Sequence, residues 1–246
     1  MKVVLLGGTK GIGRALARLI GEKGHSICLL GREKEDMERS AADVQFRAGT
    51  SAVVSIAYCD LALPETFGPA LDRAAAELDG LDWIVVTAGA FAPQERLESD
   101  RELTREVLTN NFAHTVLFCE EARERLLARG GGTLAVLSSV AGERGRKPVV
   151  LYGASKAGLT AYLEGLDHKF RSRGLKTVTV KPGFVKTGMT AGLPVPPFAG
   201  EPEAVAKDIL RAIERGRPVV YTPPMWRWVM LAIRNLPRFV MRRIEI

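Results

Sequence analysis

The sequence predicts an α/β fold: one parallel sheet, doubly wound, with helices on both faces and a single domain spanning 1–246. Three observations carry that expectation. Short runs rich in β-branched residues alternate with helical patterns along most of the 246 residues. The strand-like runs are apolar throughout rather than alternating, as strands covered on both faces must be. Four glycines, Gly7, Gly8, Gly11 and Gly13, separate the first apolar run from the first helical pattern.

Taken in order, strands are expected at Lys2–Leu6, Ser26–Leu30, Ala52–Ala57, Trp83–Thr87, Thr133–Leu137 and Thr177–Lys181. Helices are expected between them at Ile12–Gly21, Glu33–Phe46, Pro64–Glu77, Glu102–Arg129 and Tyr152–Arg173. Gly24, Gly80, the run Gly130–Gly132 and Gly174 stand where those helices should end. No repeat, low-complexity tract or linker divides the chain. The longest irregular stretch, "TAGLPVPPFAG", follows the sixth strand. In a doubly wound sheet ligands lie beyond the carboxyl ends of the strands, so residues 189–200 are expected to cover a site.

Composition removes several function classes. The formal charge is +7, yet no basic patch interleaved with aromatics points to nucleic acid. Cys28, Cys59 and Cys119 lack any CxxC spacing, and His25, His114 and His168 form no pair at ligand spacing, so neither a disulfide framework nor a metal site is expected. No run of 18 or more apolar residues occurs, and the first strand pattern starts too early to leave room for a signal peptide. A reducing, cytoplasmic setting follows from these readings.

The glycines have a chemical use. Strand, then Gly7-x-x-x-Gly11-x-Gly13, then helix is the arrangement that turns the chain tightly and brings backbone N–H groups against a pyrophosphate at a helix N-terminus. An acidic residue closing the second strand would take the ribose hydroxyls of a dinucleotide. This chain has Arg32 there, with Lys10 inside the glycine loop. Two cations favour a 2′-phosphate, and hence NADP(H), through charge-assisted hydrogen bonds. The alternative is that both are solvated surface charges.

Further along, "VLSSVAGERGRKPVVLYGASK" puts Tyr152 and Lys156 four apart on one helical face, thirteen residues after Ser139. With this set in view the chain resembles the short-chain dehydrogenase/reductases of the compact branch, which have a Rossmann fold. The motifs are the glycine loop, "CDL" at Asp60, "TAGA" at Ala88–Gly89, "NNFAH" at Asn111, Ser139, "YGASK" and "KPGFVKT", in the expected order from residue 2 to about 190. The resemblance implies an oxidoreductase in which Tyr152 exchanges a proton with the substrate oxygen and Ser139 holds that oxygen. It implies that Lys156 lowers the Tyr152 pKa and binds the nicotinamide ribose, and that Asn111 anchors a relay water. It assigns Gly7, Thr9, Lys10, Gly11, Ile12 and Gly13 to the pyrophosphate loop, and Asp60 and Leu61 to the adenine. Ala88 and Gly89 line the cofactor, while Pro182, Gly183, Val185 and Thr187 take the carboxamide end. A homodimer or homotetramer is implied too. Asn111 and Ser139 are preferred over Asn110 and Ser138 by family spacing. The chain departs from the pattern at Leu6, where threonine is usual, at Val86–Thr87, where two asparagines are, and at His114, where glycine is.

Around the site Ala90, Phe91, Val140, Met189, Leu193, Val195 and Phe198 are expected, an apolar set suited to a hydrophobic or lipid-linked carbonyl substrate. In the tail, 225–246, Arg227, Arg234, Arg238 and Arg242 fall in a stripe about 80° wide on a helical wheel. Trp226, Trp228, Leu231 and Phe239 lie among the rest, and Pro237 should kink or divide the helix. This is the pattern of a helix at a membrane interface, or of a terminal helix packed on the sheet or a partner subunit. The ending weakly resembles those of reductases acting on polyprenyl-phosphate-linked keto-sugars. The leading expectation is an NADPH-dependent carbonyl reductase. An NADP-linked alcohol dehydrogenase running oxidatively, or a redox sensor that binds NADP(H) without turnover, are the alternatives.

Overall fold

The computed structural model describes residues 1–50 and 52–245. Seven strands form one sheet in the order β3-β2-β1-β4-β5-β6-β7, and every neighbouring pair is parallel. The strands are β1 Lys2–Leu6, β2 Ser26–Gly31, β3 Val54–Tyr58, β4 Trp83–Val86, β5 Gly132–Leu137, β6 Leu175–Pro182 and β7 Val219–Thr222. The principal helices are α1 Gly11–Glu22, α2 Lys34–Ala48, α3 Phe67–Leu78, α4 Gln94–Ser99, α5 Arg101–Leu108, α6 Thr115–Ala128, α7 Val150–Phe170, α8 Pro202–Glu214, α9 Trp226–Asn235 and α10 Arg238–Met241.

The apolar strands are explained by two cores, one per face. Val4, Leu6, Cys28, Leu30, Ile84 and Val136 point to the layer containing α3, α6 and α7, where they meet Leu71, Phe118 and Leu159. Their sequence neighbours Val3, Leu5, Ile27, Leu29, Val85 and Ala135 point the other way, onto Leu16 and Ile20 of α1 and Ile209 of α8. Side chains alternate along a strand, so burial on both faces demands apolar residues at every position.

The structure corrects the sequence reading in three places. The sequence predicts six strands and the sheet has seven. The additional strand is the four-residue β7, and α8 ahead of it is also absent from the sequence reading. The signals for α8 are nonetheless present: Pro202 in its first turn, buried Val205, Ala206, Ile209 and Ile213 at helical spacing, and Gly216 beyond its end with φ +59°. The third strand starts at Val54 rather than Ala52 and runs on to Tyr58.

The third correction falls within Glu102–Arg129, expected as one helix. It is interrupted at Thr109–His114 by a π-helical turn, where the Thr115 hydroxyl donates to the Asn110 carbonyl at 2.6 Å. Such turns displace one residue from the regular ladder and recur at functional sites. Here the turn carries Asn111, which is wholly buried.

The chain reverses its winding between β1 and β4. The carboxyl ends of β1, β4, β5 and β6 therefore face one crevice, the position at which doubly wound sheets bind ligands.

Candidate active site

The glycine loop leaves β1 and turns back under the start of α1. Gly7 has φ +93°, and a Cβ built on it would lie 2.6 Å from the Ala88 nitrogen. A Cβ on Gly13 would lie 2.1 Å from the Gly7 carbonyl oxygen. Only glycine fits at either position. The loop is braced from β4: the Thr87 hydroxyl reaches the carbonyls of Leu6 at 3.0 Å and Gly7 at 3.1 Å. Thr87, a departure from the family pattern in the sequence, is thus a tie between the first and fourth strand ends. Thr187 closes the loop from the far side, since a Cβ on Gly11 would meet its methyl at 3.2 Å.

Lys10 and Arg32 are both largely exposed and both paired. Lys10 Nζ is 2.9 Å from Asp36, and Arg32 Nε is 3.3 Å from Glu33. Asp36 also receives Arg39, so three cations stand near the end of β2. Asp60 accepts the Ala62 N–H at 2.9 Å and turns the chain after β3. The Leu61 carbonyl is 2.6 Å from His114 Nδ1, which gives that unusual histidine a structural role.

At the centre, Asn111 holds Ala90 by both ends of its amide. It accepts the Ala90 N–H at 2.8 Å and donates to the Ala90 carbonyl at 2.7 Å. The next residue, Phe91, stands edge-on to the Tyr152 ring with centroids 5.1 Å apart. Gly89 lies between Asn111 and Lys156: its Cβ would be 3.2 Å from Asn111 Oδ1 and 3.6 Å from Lys156 Nζ.

The two adjacent serines face different ways. Ser138 donates to the Lys156 carbonyl at 3.0 Å and contacts the Thr160 hydroxyl at 2.6 Å, locking α7 to β5. Ser139 caps its own turn by accepting the Ala141 N–H at 3.0 Å, and its hydroxyl is near enough to the Tyr152 phenol to favour the ionised form. Lys156 is 4% exposed, and its ammonium donates to the Leu137 carbonyl at 2.9 Å. It lies 5.9 Å from the centre of the Tyr152 ring.

The family resemblance implies that Lys156 lowers the Tyr152 pKa. In the cofactor-free site burial acts in the opposite sense and pushes the phenol up, while the neighbouring Ser139 hydroxyl opposes that rise. Lys156 itself is pulled down to about 8 by burial, with no carboxylate to offset it. In this state the site holds a protonated phenol beside an ammonium with one protein acceptor. Two of its N–H bonds are left for a ligand, such as the hydroxyls of a ribose. With the glycine cradle above it, this donor set fits a nicotinamide dinucleotide.

Val185 pairs with Gly200 in an isolated bridge, which closes the base of the loop holding 189–200, and Leu193 and Val195 of that loop share a cleft with Gly11, Arg14 and Arg18 of α1. Met189, Val195 and Phe198 in that loop are exposed, whereas Val140, expected at the site, is buried. The tail expectation divides. Pro237 separates α9 from α10, so no continuous helix runs over 226–243. Met230 is fully buried, while Trp228 and Phe239 are about three-fifths exposed, at 61% and 60%. Arg234, still half-exposed, leaves the basic stripe and approaches the buried Glu143, Nε to Oε2 3.8 Å. Glu143 is missed by the sequence reading; its only signal there is a lone acid in the cationic run "GERGRK".

Comparison with known proteins agrees with this geometry. Residues 1–195 match the family model described as short chain dehydrogenase. The chain is 32% identical over 242 residues to an uncharacterized oxidoreductase of Mycobacterium tuberculosis, covering 98% of this chain and 96% of that one. It is 32% identical over 222 residues to carbonyl reductase family member 4 of Danio rerio, covering 86% and 90%. Among solved structures, a variant of actinorhodin polyketide ketoreductase with NADPH superposes with a TM-score of 0.79 at 22% identity, covering 90% and 95%. The chain belongs to the short-chain dehydrogenase/reductase family and is an oxidoreductase acting on carbonyl or hydroxyl groups.

Proposed function

We propose that the chain is an NADPH-dependent reductase of a ketone on a hydrophobic or lipid-linked compound, a keto-sugar being one candidate. The observation that carries this reading is the convergence of Ser139, Tyr152 and the buried Lys156 beside the glycine loop, with the Lys156 ammonium 5.9 Å from the centre of the Tyr152 ring. That set can give a proton to the alkoxide that develops as a ketone is reduced. The pair of Tyr152 and Lys156 also counts against a sensor that binds without turnover.

In this reading the bound cofactor supplies the hydride. The Ser139 hydroxyl donates to the ketone oxygen and orients it, Tyr152 Oη releases its proton to that oxygen, and Lys156 holds the ribose. Asn111 fixes Ala90 and hence Phe91, which walls the reacting centre, and its turn is assigned the relay water. Lys10 and Arg32 turn from Asp36 and Glu33 to the 2′-phosphate. Both ion pairs are exposed and therefore weak, so a dianionic phosphate can displace them.

The apolar, exposed residues Met189, Val195 and Phe198 support a hydrophobic substrate. Exposed Trp228 and Phe239 beside Arg227, Arg238 and Arg242 support peripheral contact of a cytoplasmic protein with anionic lipid. Exposed Phe112 and Leu117 on the π turn and α6 support a homodimer or homotetramer. The test is to follow NADPH consumption across ketone classes, a polyprenyl-linked keto-sugar included, with native protein and Tyr152→Phe. The variant should bind NADPH normally and lose about 10²–10⁴-fold in kcat. Near-native turnover by the variant would refute the mechanism.

A further inference from the structure

Glu143 is a buried carboxylate that the mechanism above does not use. It ends the short turn Val140–Glu143 that follows Ser139, and its side chain is 2% exposed. Oε1 accepts Lys181 Nζ at 2.6 Å and Tyr221 Oη at 2.6 Å. Oε2 is buried without a hydrogen bond, and the Arg234 guanidinium of α9 approaches it to 3.8 Å. Lys181, 9% exposed, stands 5.4 Å from the centre of the Tyr221 ring and directly precedes Pro182–Gly183. One carboxylate therefore joins the Ser139 turn, the end of β6, the edge strand β7 and helix α9.

Stability alone does not account for this arrangement. Burying a carboxylate and an ammonium costs several kcal/mol per ion, and an apolar pair of similar volume commonly serves stability as well. What an apolar pair lacks is direction. Two short hydrogen bonds to one oxygen set the distance between segments in a way that packing does not. The C-terminal helix adds a second constraint on the same segment. A Cβ on Gly183 would lie 2.0 Å from Trp226 Nε1, so α9 rests on that glycine, and the same nitrogen donates to the Phe198 carbonyl at 3.2 Å.

We infer that Glu143 is a positioning residue. Through Lys181 it holds Pro182–Gly183 in register with the Ser139 turn, and with Arg234 it seats α9 across both. The inference rests on the cofactor and substrate sides assigned above. It gives the C-terminal helix a task at the site that does not depend on any membrane contact.

The test uses the full chain in two forms, Glu143→Gln and the double variant Glu143→Gln/Lys181→Met. The single variant leaves the Lys181 ammonium buried without its carboxylate and should melt well below native. The double variant removes both charges and should recover most of that loss. Register has no such remedy. In the double variant the NADPH dissociation constant, read by fluorescence titration, should still be raised about tenfold and kcat lowered about tenfold. Cofactor affinity and kcat both within about twofold of native, measured where circular dichroism shows native fold, overturn the inference and leave a purely structural pair. If the double variant stays thermally weak, the same titration below its melting transition decides. A native protein that binds NADPH but reduces no ketone refutes the reductase reading and leaves the titration valid. One that binds no NADPH overturns both.

Discussion

Asn111 offers the sharpest single perturbation, because its contribution can be worked from its bonds. Its amide satisfies both the N–H and the carbonyl of Ala90, at 2.8 and 2.7 Å. Asn111→Ala leaves both groups without partners. A fully buried orphan costs about 1–3 kcal/mol, but Ala90 is half-buried and water can reach it, so the two together should cost about 2 kcal/mol. Truncating a side chain that is 0% exposed adds about 1 kcal/mol for the cavity. A loss of about 3 kcal/mol in a chain of this size lowers Tm by about 6–12 °C. Freed from Asn111, Ala90 no longer fixes Phe91 against Tyr152, and kcat should fall about tenfold or more at temperatures where the variant is folded. Asn111→Asp tests the same bonds by pH. The carboxylate still accepts from the Ala90 N–H but repels the Ala90 carbonyl, whereas the protonated acid donates to it. Folding therefore raises the pKa of the introduced carboxyl group. The variant's stability deficit should be small in acid and grow as pH rises through the carboxyl range. Thermal melts of both variants across pH supply the measurement. A Tm for Asn111→Ala within about 1 °C of native would refute the reasoning.

Three more outcomes are expected. Replacing Arg32 by Asp should reverse cofactor preference from NADPH to NADH in fluorescence titrations, and equal affinity of the native protein for both cofactors would sink the assignment of Lys10 and Arg32. Lys156, at about 8 against an ordinary 10.5, binds fewer protons folded than unfolded between those values. Its charge therefore costs the cofactor-free protein most below about pH 8, and the cost is relieved as pH rises towards 10.5. Measured against Lys156→Met, which cancels the opposing titrations of the buried Cys28 and Cys59 thiols, native stability should gain about 3 kcal/mol across that range. A flat difference would show that the ammonium is better solvated than its burial implies. Truncation before Met225 should lower Tm by exposing the Met230 contacts and Glu143, while full-length protein should sediment with anionic liposomes at low salt and release at high salt. Liposomes ignored at low salt would remove the lipid contact and leave the tail as structure alone.

The sequence by itself determined the α/β class, the succession of central strands and helices, and the chemical groups at the crevice. Continuous apolar strands, a glycine loop with no room for Cβ, and Tyr152 four residues before Lys156 are local facts that a linear reading can see. The short edge strand β7 escaped it because four residues carry no distinguishable period. The π turn at Asn111 escaped it because a one-residue displacement leaves the apolar pattern of the flanking helices intact. Only the tertiary structure decided how deeply the titratable groups are buried. Burial pushes the Tyr152 phenol up and pulls the Lys156 ammonium down, and their spacing in the chain reports neither. The same holds for the tail: a helical wheel assigns Arg234 to a basic stripe, but the fold turns it onto Glu143, far earlier in the chain. Spacing along a chain reports which side chains share a face. What that face meets, and how far water is kept from it, is set by elements that the sequence brings together only on folding.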